Sequence, residues 1–165
     1  MRSTALLSIP VGVVVERHKA SSPWLDFVWR PASILTGVPS AAPWTPLGSV
    51  GDTATFYAGS ATVELHRTET ANYLSNLDTG APALWVVLRP TGAEPPYDVV
   101  AVTADPAEGE AYTEAGNDLV DTVPMPSVIV EALQAFIGEH HVERPFFKRQ
   151  RDRGERGTSG RESKS

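Results

Sequence analysis

The sequence contains no cysteine. Disulfides, a thiol nucleophile, an iron–sulfur cluster and every cysteine-based zinc site are therefore excluded. Apolar runs are short, none approaching the roughly 18 residues of a membrane-crossing helix, so no membrane insertion is expected. Phosphate-binding and nucleophile motifs are also missing: there is no glycine-rich loop ending in Lys-Ser/Thr, no GxGxxG after a strand and no GxSxG. No repeat with a period of about 20–50 residues is present. Histidine is scarce, and His18, His66, His140 and His141 lack chelating spacing. The adjacent pair at 140 and 141 would point about 100° apart on a helix, unlike an i, i+4 pair. Neither a metal nor any other cofactor is expected.

What is present suits a packed domain. Of 165 residues, 41% are hydrophobic and 21% charged, enough apolar material for one core. Residues 1–17 contain a broken apolar run without a small-residue cleavage site, and read as a first strand rather than a signal peptide. A cytoplasmic protein is the expectation. Charge is uneven: residues 148–165 carry +4, which leaves −10 on residues 1–147 of a chain whose net charge is −6. An acidic body with a basic tail bears on the choice of partners.

Hydrophobic period sets the expected elements. Residues 9–16 (IPVGVVVE) are a β-branched run too short for a helix and too apolar for a loop, the pattern of a strand buried on both faces. Residues 24–30 (WLDFVWR) alternate, placing Trp24, Asp26 and Val28 on one face and Leu25, Phe27 and Trp29 on the other, with Pro31 marking an edge or an end. Residues 36–52 hold three prolines and three glycines and read as a connection on which Trp44 docks against the core. Two strands follow over 53–57 and 60–67, with a tight turn expected at Ala58-Gly59. A helix over 68–77 would be capped by Thr68, face inward through Tyr73, Leu74 and Leu77, and stop before Gly80. Residues 83–88 and 97–103 are strands. Asp105-Pro106 opens a short helix, with Glu108 in its first turn, weakened at Gly109 and ended at Gly116. Residues 119–123 form a last strand, and 127–140 carry the longest helical stripe: Ile129, Ala132, Leu133, Phe136 and Ile137.

These elements define an α+β fold. The expectation is a single globular domain over residues 1–147, built on an antiparallel or mixed sheet with the last helix packed on it. A small barrel closed by that helix is the alternative. Residues 148–165 form a basic tail whose composition cannot support a packed core, so it is expected to be disordered.

Three residues are candidates for acid–base catalysis: Glu64, His66 and Glu69, the most polar cluster within regular structure. No nucleophile–base pair accompanies them, and caps and surface ion pairs use the same residues, which favours binding over catalysis. Candidate partner-binding residues are Trp24, Trp29 and Trp44, with Lys148, Arg149, Arg151 and Arg153 of the tail. Nucleic acid is not expected as a partner, because the aromatics are not interleaved with the bases and the body repels phosphate.

Several blocks resemble a known family. The blocks are IPVGVVVERHKASSPWLDFVWRP, ATVELHRTETANYLSNL, PALWVVLRP, VTADPAEGEAY, VPMP and HHVERPFFKRQRDR, and the resemblance covers essentially residues 8–153. They are similar to an uncharacterised bacterial family, a domain of unknown function, found in proteobacterial gene clusters for molybdenum- or tungsten-dependent formate dehydrogenase. The resemblance carries no catalytic residues with it. It implies a non-catalytic accessory or assembly protein, bound to a formate dehydrogenase subunit or to another accessory protein of its cluster. The alternative it leaves is an enzyme or carrier acting on the molybdenum cofactor, molybdopterin guanine dinucleotide, during maturation. Only seven basic residues among residues 1–147 weigh against a polyphosphate site.

Overall fold

The computed structural model describes residues 5–21, 23–24 and 26–141. Among them seven strands and three α-helices follow in the order β1 (Leu7–Lys19), β2 (Phe27–Thr36), β3 (Thr45–Val50), β4 (Thr53–Leu65), α1 (Thr70–Asp78), β5 (Ala83–Pro90), β6 (Tyr97–Thr103), α2 (Pro106–Ala115), β7 (Leu119–Pro124) and α3 (Ser127–His140). A 3₁₀ turn over Arg67–Glu69 leads into α1. The strands form two sheets, β2-β1-β4-β3 and β6-β5-β7, and every pairing is antiparallel.

Strand β1 is central because its sequence can be buried on both faces. Val11, Val13 and Val15 are fully buried on one side, and Val14 is buried on the other. With Val63, Leu65, Leu84, Val86, Leu88 and Val102, the three residues Val11, Val13 and Val15 make one hydrophobic cluster spanning both sheets. Ile129, Leu133 and Phe136 of α3 join the same cluster, and Phe136 meets Tyr73 of α1 edge-on with ring centroids 6.1 Å apart. Asp105 caps α2 as its sequence predicts, its carboxylate accepting from the Ala107 N–H, and Gly116 ends that helix at φ 97.

The two sheets do not close into a barrel. β4 runs beside β6 and β2 beside β7, but neither pair forms a ladder. β3 already occupies the edge of β4 from Thr53 to Tyr57, and a cleft separates the rest of β4 from β6.

Four local expectations are corrected. Ala58-Gly59 is not a turn: β4 runs unbroken, and Ala58 is an extra residue bulged between the Gly59–Val13 and Tyr57–Val14 pairs. The segment taken as a connection contains β3, an edge strand that accommodates Pro46 opposite Phe56 and bulges at Leu47 just after it. β2 starts at Phe27, leaving Trp24 in the preceding turn, and it passes through Pro31 at another bulge, where Ala32 is extra. An edge strand tolerates a proline there because the missing amide leaves no partner unpaired. Finally, Thr68 does not cap α1; its hydroxyl donates to Glu69, and Asn76 rather than Leu74 lies buried beside Tyr73.

Candidate binding surface

Alternation along β1 places Arg17 and Lys19 on the same side as Val13 and Val15, beyond the end of the apolar core. In register, Trp29 and Ala54 lie opposite Arg17, Phe27 lies opposite Lys19, and Phe56 lies opposite Val15. The Arg17 guanidinium consequently sits over three rings, 4.3 Å from the centroid of Phe27, 5.2 Å from Phe56 and 5.8 Å from Trp29. Trp29 in turn meets Trp44 edge-on at 5.7 Å and touches Phe56 and Tyr97. The core thus ends in an aromatic cluster carrying a cation.

Trp44 holds its place in that cluster with φ 71, a left-handed conformation disfavoured for a bulky side chain. Its N–H donates to the Tyr57 carbonyl, which anchors the strained residue at the start of β3. The three tryptophans therefore separate. Trp29 and Trp44 are half-buried partners, whereas Trp24 stands 88% exposed in the β1–β2 connection.

A polar chain crosses the opposite face of the same sheet. His18 Nε2 lies 2.9 Å from Glu16, its Nδ1 lies 3.0 Å from the Thr53 hydroxyl, and Arg30 approaches Glu16 at 4.0 Å. This chain ties β2, β1 and β4 together at the end that carries the exposed apolar residues.

Of the acid–base candidates, Glu64 and His66 come together. They line a cleft of about 340 Å³ between β4 and β6, with Glu64 Oε1 3.5 Å from His66 Nε2 and with Glu108 and Tyr112 of α2 on its far side. Glu108 accepts the Thr103 hydroxyl at 2.6 Å. Glu69 does not join them. Its carboxylate accepts from Thr68 and from Asn72, and Asn72 also donates to the Asp105 carboxylate, so Glu69 belongs to the junction that sets the start of α1 against the cap of α2. An imidazole beside a carboxylate can exchange a proton with a ligand. Among the described residues no group of three or more His, Asp or Glu could hold a metal ion. His141 is occupied with the Thr70 hydroxyl at 2.8 Å, and His140 packs on Phe136. The tail candidates Lys148, Arg149, Arg151 and Arg153 lie outside the described residues.

Sequence reasoning missed Arg17, Phe56 and Tyr97. The period-two continuation of β1 past Val15 is the signal that places Arg17 on the core side, but it becomes meaningful only once Phe56 and Trp29 are known to flank it.

The molecule is thus a two-sheet α+β protein, mostly strand, whose core ends in an arginine-bearing aromatic cluster. Residues 10–151 match the family model described as "Protein of unknown function (DUF3305)", and the chain belongs to that family. No curated protein matches it, and neither does any solved structure. No helix among the described residues is long and apolar enough to cross a membrane.

Proposed function

We propose that this protein is a non-catalytic accessory protein that binds a subunit of molybdenum- or tungsten-dependent formate dehydrogenase, or a second maturation protein of that enzyme. The observation that carries a binding role is the apolar end of the four-stranded sheet. Trp24 is 88% and Val50 85% exposed, and Phe27 and Val28, which open β2, are exposed as well. The Lys19 N–H bonds the Asp52 carbonyl, joining the β1–β2 and β3–β4 connections and bringing these side chains to one end of the sheet. Large apolar side chains gathered on a surface mark interaction sites. The formate dehydrogenase assignment rests on the sequence blocks quoted above. Glu64 and Glu108 facing each other across the β4–β6 cleft weigh against the cofactor-handling alternative, since a pyrophosphate would meet two carboxylates.

Tagged full-length protein recovered from its native host, grown under formate dehydrogenase-inducing conditions, supplies the test. Mass spectrometry should find a formate dehydrogenase subunit or maturation protein with the wild type, and much less of it with Trp24→Ala combined with Val50→Ser. Recovery of neither class of protein from induced cells overturns the reading.

A further inference from the structure

Five arginines and lysines lie among the described residues: Arg17, Lys19, Arg30, Arg67 and Arg89. Arg89 is clamped by Asp118 through two hydrogen bonds of 2.9 and 2.8 Å, and Arg30 reaches Glu16. Arg17, Lys19 and Arg67 have no carboxylate within ion-pair distance among the described residues, and the Arg17 side chain makes no hydrogen bond there. Arg17 and Lys19 stand on one side of β1, two positions apart. In a body that carries −10, two cations without counter-charges on one aromatic surface invert the local sign of the field.

Stacking explains why the geometry is selective. A guanidinium covered on its faces by aromatic rings is held in place and partly desolvated, while its in-plane N–H donors remain for an acceptor. A carboxylate fits that fork with two parallel hydrogen bonds, and the surrounding rings offer contact to an apolar neighbour. The chain's own residues 142–165 are a poor occupant, because they carry net positive charge.

We propose that Arg17, backed by Phe27, Trp29 and Phe56 and flanked by Lys19, captures a carboxylate side chain of an acidic peptide segment on the partner protein, with Trp44 and Tyr97 packing the apolar residue beside it. The inference rests on the binding reading above and names the chemistry of the partner. Because the body is acidic overall, an acidic segment gains only where its carboxylate meets Arg17. A segment in the wrong register is repelled, and specificity follows from that difference.

The experiment uses the full chain against an array of short synthetic peptides in which Asp/Glu, Phe/Leu and Lys content vary independently, with affinities of captured peptides read by fluorescence anisotropy. Captured peptides should be those with a carboxylate next to an apolar residue. Replacing that carboxylate by its amide, or Arg17 by Gln, should weaken binding about tenfold or more, and R17K should recover only part because it lacks the fork. Lys19→Gln, at an exposed position, should weaken binding less and keeps the test decisive if the Arg17 variants fold poorly. Capture without regard to acidic content, equal binding by R17Q and wild type, or preference for single-stranded oligonucleotides overturns the assignment. Unchanged recovery of a formate dehydrogenase protein by R17Q from the host also overturns it while leaving the proposed function standing. Arg17-dependent acidic capture with no such protein recovered does the reverse.

Discussion

Asn76, 3% exposed, holds three backbone groups with one carboxamide. Its Nδ2 donates to the carbonyls of Ala83 and Ala104 at 2.8 and 2.9 Å, and its Oδ1 accepts the Ala83 N–H at 3.0 Å. One residue thereby fixes α1 to the start of β5 and to the chain entering α2. Asn76→Leu leaves those groups unpaired in the interior, at about 1–3 kcal/mol each where water cannot reach them, so urea unfolding should show a loss of about 3–5 kcal/mol. Gly109 is required by packing rather than by backbone freedom. A Cβ built there would overlap the indole of Trp85. Gly109→Ala therefore trades a helix-propensity gain of about 1 kcal/mol for a steric conflict, and the net outcome should be a destabilisation of about 1–3 kcal/mol in the same measurement. Tyr73 makes the pH prediction. Burial, opposed by the hydrogen bond its oxygen accepts from the His66 N–H and reinforced by Asp105, Glu69 and Glu108, pushes its phenol from 10.0 up to about 12. The folded state holds this proton more tightly than the unfolded state. The contribution to stability is therefore complete below pH 10 and lost as pH rises through about 12. Tyrosinate absorbance should show one tyrosine titrating late, and Tyr73→Phe should remove that phase.

At the scale of elements, the sequence is most legible where one physical signal dominates. α3 spans the expected residues because its apolar stripe is continuous, and β6 matches its expected bounds because turn residues border it on both sides. Phe136 confirms the stripe at 4% exposure, wedged between Tyr73 and His140, and Phe136→Ala should cost about 3–5 kcal/mol by chemical denaturation. The misread elements share a cause. Gly59 at φ 142 and the prolines at 31 and 46 are turn residues by local chemistry, yet each lies in a strand. Bulges absorb them. An extra residue in β4 or β2 shifts the register without ending the pairing, and that choice depends on β1 lying between both partners, which no local window contains. The candidate surface was legible in part for the same reason. Trp24, Trp29 and Trp44 stand out in the sequence by residue type, but Arg17 acquires meaning from rings on two neighbouring strands.

For the whole molecule the decisive property is where the charge lies relative to the core. Among the described residues the buried core runs from Val11 to Phe136, and residues 148–165 have too few apolar side chains to build a core of their own. Deleting residues 149–165 should accordingly leave the melting temperature nearly unchanged in a calorimetric scan. Association is a different matter. The deleted segment carries most of the +4 of residues 148–165, whereas the body carries −10, so an acidic partner approaching Arg17 is repelled by the body and attracted by this segment. Long-range attraction acts on the encounter rate and is screened within about 8–10 Å at ordinary ionic strength, whereas the Arg17 contact is made at close range and governs how long the complex lasts. The truncation and the Arg17 substitution should therefore separate kinetically. Loss of residues 149–165 should slow association and flatten its dependence on salt, with dissociation little altered. Arg17→Gln should speed dissociation and leave the salt dependence of association nearly intact. Stopped-flow anisotropy with an acidic peptide captured by the full chain checks both. If truncation changes only dissociation, or if R17Q slows only association, the division between a steering segment and a gripping residue is wrong.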